Sequence, residues 1–525
     1  MNLKKILVFA ITIVLSSCLN PPLINDCEKR PDLSNSDFIY LKDNHFELHR
    51  EKFFPIMLNY CVSFKNIDNY LIVSSYYDEQ EFQKKENITK NEIENSLRGH
   101  FQLIKEMGFN CLRVTFDRSF FNNGILEYAN FSIEKDYEII LAGFEEFINI
   151  AKEADLRIMF LLKPPFDESI KKFTCKILDR FKDNPTIFAY DFINEPLYFD
   201  ILEIREKIDA YKLQLEWKNM MRTHAPNQMI TIGFSEPIEI LEWDPAISPV
   251  DFLCFHTYHP LRVKNEIYWY SKYTDKPWMI GETALPADGD SISYAEQKSF
   301  AKEVFEYAID CGAAGIAWWD FKEDLSQSSF EAEFTGILNH TGTTTTQKGR
   351  YTIPGTVKPV AEEFVKLKDY QSKNRQIRPV NYYNNLGYNN FVIKGKIINK
   401  KTKEPVEGAV IRGWSEYWEI AWNTYSDENG IFTLYSNEQF VHFEISAPKM
   451  TKTKFDLVLE YDKITNGSYD IHNLPNKEAE YQKISYKPFL KENTSSVFDF
   501  EESKFTQAKY EAVMPTIYLS PLKIK

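Results

Sequence analysis

Between residues 53 and 370 the sequence repeats one arrangement: a short, almost unbroken apolar run, then a longer amphipathic stretch. The apolar runs are Phe53–Tyr60, Asn110–Phe116, Leu156–Lys163, Ile187–Ile193, Met229–Phe234, Asp251–His256, Pro277–Gly281 and Ala314–Trp319. A strand that is apolar along its whole length is buried on both faces, and a parallel sheet covered by helices demands this. The stretches between most of the runs carry helical spacing. In 91–107 it is Ile93, Leu97, Phe101, Ile104 and Met107, with Gly108 as a stop; in 137–151 it is Tyr137, Ile140, Leu141, Phe144, Phe147, Ile148 and Ala151. Eight such units over 50–370 predict closure into a (β/α)8 barrel. An open, doubly wound sheet is the competing arrangement, disfavoured because no glycine-rich turn follows the first run.

After the barrel the pattern changes. Residues 371–390 are polar and rich in Asn, Tyr, Gln and Lys, and read as a linker. From 391 to 525, short strands and the turn Ser426-Asp427-Glu428-Asn429-Gly430 predict a small antiparallel β-sandwich, with a polar, irregular insertion over 462–512. The fold class is therefore α/β, a barrel followed by a sandwich. At the other end, Lys4 and Lys5 precede the apolar run Ile6–Leu15, which is too short to span a bilayer comfortably. Leu15-Ser16-Ser17-Cys18 follows and resembles a bacterial lipobox, which implies a signal peptide over 1–18 and a lipid on Cys18. An ordinary cleaved signal peptide is the plainer alternative. Residues 19–49 then form a tether and the first strands. The expected location is the cell envelope, either lipid-anchored to the outer membrane or periplasmic, with the lipid as the membrane contact.

A net charge of −14 argues against a nucleic-acid partner, whose phosphates need a clustered positive surface. Cys27, Cys61, Cys111, Cys175, Cys254 and Cys311 match no zinc spacing, so no metal is expected; Cys61, Cys111 and Cys254 sit in or beside apolar runs as small hydrophobes. Oligomeric state is not encoded in any pattern found.

The chemistry concentrates at two strand ends. Ile193-Asn194-Glu195-Pro196 closes the fourth run and Ile280-Gly281-Glu282 the seventh. The C-terminal strand ends form the active face of barrel enzymes, so Glu195 and Glu282 are expected to point at one bound molecule from opposite sides of the mouth. Cleavage of a glycosidic bond uses two such carboxyls. One protonates the leaving oxygen, and the other attacks the anomeric carbon or activates water, according to their separation.

Asn194-Glu195-Pro196 on the fourth strand, with Glu282 ending the seventh, resembles the clan of retaining (β/α)8, or TIM-barrel, glycosidases, and within it glycoside hydrolase family 5, the cellulase and β-mannanase type. The resemblance covers 50–370. It implies Glu195 as acid/base and Glu282 as nucleophile. It implies that Arg113, inside an apolar strand, lies beneath the nucleophile and favours its charge. It implies that Asn194 holds the sugar 2-hydroxyl, that Tyr258 contacts the nucleophile while His256 lines the cleft, and that Trp319 floors the reacting-sugar subsite. Strand parity lets only one of Trp318 and Trp319 face inward, and Trp319 is the expected one. One departure is plain: where many members carry a His at the end of the third strand, this chain reads Phe160-Leu161-Leu162-Lys163, and Lys163 is the candidate for that place. The C-terminal module resembles the carboxypeptidase regulatory-like sandwich.

The implied activity is retaining hydrolysis of a β-linked glycan of mannan or glucan type, without a cofactor. Two alternatives stand beside it: a lipid-anchored glycan-binding protein without turnover, disfavoured because both carboxylates are present, and an exo-acting or transglycosylating relative. Tyr268, Trp269 and Tyr270 after the sixth strand are either a sugar platform or helix packing. Trp414, Tyr417, Trp418 and Trp422 in the sandwich either contact glycan or pack internally.

Overall fold

The structure is a computed structural model of the chain. It describes residues 31–524 apart from 86, 116–124, 127–128, 325–328, 330–332, 348, 380–390, 416, 437–439, 457–487, 492–508 and 515. The leader, Cys18 and Cys27 lie outside the described residues, as do the second half of the expected linker and much of the expected insertion.

Eight parallel strands close into a barrel: β1 (Ile56–Ile67), β2 (Cys111–Thr115), β3 (Arg157–Leu161), β4 (Ile187–Asn194), β5 (Met229–Phe234), β6 (Leu253–His256), β7 (Trp278–Glu282) and β8 (Ile316–Trp318). Closure is made by β7 and β8, through Met279 opposite Gly315 and the bond from Ala314 N to Trp278 O at 2.8 Å. Helices α1 (Lys90–Glu106), α2 (Tyr137–Glu153), α3 (Glu168–Phe181), α4 (Lys207–His224), α5 (Val263–Tyr273), α6 (Tyr294–Asp310) and α7 (Ala361–Leu367) cover the outside. Local signals fix several ends. Thr89 with Glu92, and Ser293 with Glu296, form capping boxes at the starts of α1 and α6.

Two departures from the expected layout matter. β1 does not stop near Tyr60; it runs on to Ile67 and folds back as an antiparallel hairpin with Tyr70–Ser75. The tight turn uses Asp68 and Asn69, both at positive φ, residue types that tolerate that conformation. Between β5 and β6 no α-helix forms; a 3-10 turn, Pro237–Leu241, takes its place.

Strand alternation sorts the barrel interior into layers. Met57, Cys111, Met159, Ala189, Met229, Cys254 and Met279 form an apolar lower layer. Two residues further along their strands stand Asn59, Arg113, Asp191, Thr231, and His256, all buried and polar. A small antiparallel sheet, Tyr40–Lys42, His45–Leu48 and Glu51–Phe53, closes the bottom, where Phe46 packs edge-on against Phe188 and Phe252.

The sandwich pairs two sheets over a core that includes Ile393, Ile397, Ile411, Phe432, Leu434, Phe443 and Ile445. One sheet contains β9 (Phe391–Asn399) and β12 (Ile431–Ser436). The other runs β11 (Ala421–Tyr425), β10 (Val410–Ser415), β13 (Phe440–Ser446), β14 (Thr453–Asp456). The segment expected as an irregular insertion contributes two strands to the first sheet, Pro488–Lys491 and Lys509–Val513. Lys509-Tyr510-Glu511-Ala512-Val513 alternates with period two, the signal that marks it as a strand.

The sandwich sits where the barrel lacks its helix. Val410 belongs to the barrel's own core cluster and Tyr425 packs against it. Lys207 of α4, buried and paired with Asp244 at 3.1 Å, donates to the carbonyls of Ala447 and Met450. Trp269 of α5 donates to Gly408 O at 2.8 Å. Among the described residues no helix is long and apolar enough to cross a membrane.

Candidate active site

The polar upper layer of the barrel converges on one cation. Arg113, fully buried, donates from Nε and Nη2 to Asp191 Oδ2 at 3.0 and 2.8 Å. Its Nη1 donates to Asn59 Oδ1 at 3.0 Å and to Glu282 Oε1, and its Nη2 reaches Asn194 Oδ1 at 2.8 Å. Burial alone would lower the arginine's pKa, but the charges of Asp191 and Glu282 overcome it and the net shift is upward. Arg113 is therefore a fixed positive charge beneath the site, and its fork orients four side chains from three strands, Asp191 and Asn194 sharing β4.

Glu282 ends β7 and is held from both sides. Oε1 faces Arg113 and Oε2 accepts from the Tyr258 hydroxyl. Loss of solvent, then the negative charge of Glu282 and Glu195, pushes Tyr258 well above its ordinary value, so it stays a donor. Glu195 follows β4 in a left-handed conformation, φ 41°, and its amide bonds to Gly233 O at 2.6 Å. This is a costly position for a residue with a side chain, held by the surrounding structure. His256 stands between the two carboxyls. Its Nδ1 lies 2.9 Å from Glu195 Oε1 and 3.6 Å from Glu282 Oε1. Burial lowers its pKa to about 4, against the pull of Glu282, so the ring is neutral near pH 7.

One oxygen each of Glu195 and Glu282, with a nitrogen of His256, lie within 4.8 Å of one another. The three could hold a metal ion, but Arg113 already supplies positive charge to Glu282, which disfavours a second cation there.

Close approach is paid for in glycine. A Cβ on Gly233 would stand 2.9 Å from both Asp191 Oδ2 and His256 Nε2, and one on Gly281 2.2 Å from Cys254 Sγ. At the end of β8, Trp318 turns outward against Phe305 and Phe364 and donates to Thr335 O at 3.0 Å. Ala317 lies in the interior, so parity returns Trp319, half-buried, to the inner side.

The structure thus brings Glu195, Glu282, Arg113, Asn194, His256 and Tyr258 into one contact network. Lys163 is exposed, beyond the end of β3, and Trp269 and Tyr270 are buried helix packing, Tyr270 stacking on Phe255 at 3.9 Å. Sequence reasoning passed over three residues. Asp191 and Asn59 carried the same signal as Arg113, a polar group inside an apolar strand. Glu239 had none. It is buried beneath the segment after Glu195 and accepts from Leu197 N and from Ser235 N and Oγ. Burial pushes its carboxyl up to about 8 against those hydrogen bonds.

Fold and site together define a closed (β/α)8 barrel with a carboxyl pair at the C-terminal strand ends. No protein-family model matches the sequence, and no curated protein matches it. Solved structures with a similar outline include an exo-β-1,4-mannosidase, Op5Man5, from Opitutaceae bacterium strain TAV5, at 17% identity and a TM-score of 0.45, over 63% of this chain and 61% of that one. This chain thus spans less than two thirds of the mannosidase. A GH5_18 protein from Streptomyces cattleya in complex with GlcNAc is 13% identical, TM-score 0.45, over 66% and 85% of the two chains. The AHE enzyme from Alicyclobacillus herbarius is 13% identical, TM-score 0.42, over 64% and 98%.

Proposed function

We propose that this protein is a retaining glycoside hydrolase acting on a β-linked oligo- or polysaccharide of mannan or glucan type. The observation that carries the reading is the carboxyl pair: oxygens of Glu195 and Glu282 within 4.8 Å. Carboxyls about 5 to 5.5 Å apart suit direct attack on the sugar, whereas inversion needs about 6.5 to 9.5 Å to admit water.

The surroundings divide the roles. Arg113 and Tyr258 both donate to Glu282, one to each oxygen, and so aim its carboxyl as a nucleophile is aimed. Glu195 lies against the neutral ring of His256, whose Nδ1 is 2.9 Å from Oε1 and accepts or donates according to tautomer. Glu282 attacks the anomeric carbon as Glu195 gives its proton to the departing oxygen. Water then attacks the glycosyl–Glu282 ester, losing its proton to Glu195, and Glu282 leaves as carboxylate. Asn194, its amide oxygen held by Arg113, keeps its NH2 for a substrate hydroxyl. Trp319 offers a ring at the mouth.

Glu282→Ala should abolish turnover, and azide should restore it with inverted product. Azide rescue with retained configuration, or no loss of turnover, would remove Glu282 from the role. We also propose that the chain is a lipoprotein anchored through Cys18. Labelled palmitate should enter the wild type and not Cys18→Ala, and a Cys18→Ala protein that still takes up label and sediments with membranes would refute the anchor.

A further inference from the structure

The outer face of the sandwich's shorter sheet has two parts. At Val410 and Tyr425, neighbours across β10 and β11, it packs into the barrel core. Side chains alternate along a strand, so the face with Val410 also carries Arg412 and Trp414, while Ile411 turns into the sandwich. β10 and β13 pack on the 3-10 turn Pro237–Leu241, which follows β5 on the face that holds the carboxyl pair. Glu239 of that turn accepts from Leu197 N, two residues past Glu195, at 3.1 Å. The sheet therefore meets the barrel beside the segment that follows Glu195, and the rest of that face, at Arg412 and Trp414, forms a ledge.

The ledge is aromatic, and its rings back one another. The Arg412 guanidinium lies 4.8 Å over the Trp414 ring, and the rings of Trp414 and Trp418 are 5.2 Å apart. Trp418 stacks on His442 at 4.1 Å with the planes 8° apart, and His442 is held by Asp456 at 2.7 Å. With that backing Trp418 is still 53% exposed, and its φ of 62° is one that bulky side chains rarely adopt. Internal packing accounts for Trp422, which lies on the sandwich core, and not for Trp418. A stacked ring open to solvent matches a pyranose, whose C–H face packs on it, and the Arg412 guanidinium over Trp414 holds the neighbouring ring in place.

We propose that Arg412, Trp414 and Trp418 form a sugar-binding subsite for the same glycan that the barrel cleaves, on the Glu195 side, where the departing part of the chain lies. The proposal rests on the glycosidase reading above, and its substrate is accordingly an extended oligosaccharide rather than a disaccharide.

The test uses the full chain, with Trp418→Ala, Trp414→Ala and the conservative Trp418→Tyr. The readout is kcat/KM on a ladder of β-1,4-manno- and gluco-oligosaccharides relative to an aryl glycoside. In Trp418→Ala the ratio of long oligosaccharide to aryl glycoside should fall about tenfold, chiefly through KM, and Trp418→Tyr should keep most of it. A misfolded variant would lower both substrates together, and Trp418→Tyr then decides: a wild-type ratio there with a tenfold fall in Trp414→Ala supports the subsite. An unchanged ratio in both alanine variants overturns it. If the wild type turns over none of these substrates, the glycosidase reading has failed, and electrophoresis through gels containing mannan or glucan tests the ledge by itself. Retardation of the wild type that Trp418→Ala loses supports the sugar site, and an unretarded wild type overturns it.

Discussion

At the scale of single residues, His256 couples the site to stability. The unfolded chain protonates this histidine near pH 6.5, whereas burial holds the folded value at about 4. Between those values the unfolded state binds more protons, so stability rises with pH across the window and is lost as pH falls through it. The contribution is about 3 kcal/mol between pH 6.5 and 4. Denaturant midpoints measured from pH 7 to 4 should fall less steeply in His256→Asn than in the wild type; parallel slopes would show that the ring's burial does not matter. Glu239 acts in the opposite sense. Its raised value means the folded state holds the proton longer, so its contribution declines as pH rises from about 4.5 to about 8. Much of this network was legible in advance. Arg113 stood out because a charge inside an apolar strand must be paired, and Asp191 in β4 bore the same mark. Glu239 was invisible, since a glutamate after a proline in a loop looks like any solvated one until the chain above it is folded.

At the scale of elements, the strands were legible because burial on both faces leaves an apolar run, and the helices because they keep one apolar stripe. What was missed lay where tertiary context overrode the local pattern. The extension of β1 is half barrel and half hairpin, and its period does not change at the boundary. The stretch 235–252 is apolar enough for a helix but carries Pro237, Pro245 and Pro249, and forms a 3-10 turn instead. The sandwich's grip on α5 depends on Gly408, at φ 72°, where an added Cβ would come within 2.7 Å of the Tyr273 ring. Gly408→Ala should therefore lower stability by about 1 to 3 kcal/mol. Calorimetry would read this as a lower Tm, and an unshifted transition would mean that the contact between α5 and the turn is not tight.

At the scale of the whole molecule, the order of parts along the chain and their arrangement in space differ. The sandwich follows the barrel in sequence and reads as an appendage. In space it covers the flank between α4 and α5, through Lys207, Trp269 and Val410, and reaches the rim that carries Glu195. No local signal predicts that contact, because it joins residues 240 positions apart, as between Lys207 and Ala447. The substitution of a β-sheet for the barrel's missing helix has an evolutionary corollary. A lineage that lost the sandwich would bare an oily wall on its barrel, and one that exchanged it for another module would need a replacement shaped to the same wall. Barrel and sandwich are therefore expected to depend on one another for solubility, neither half being finished on its own.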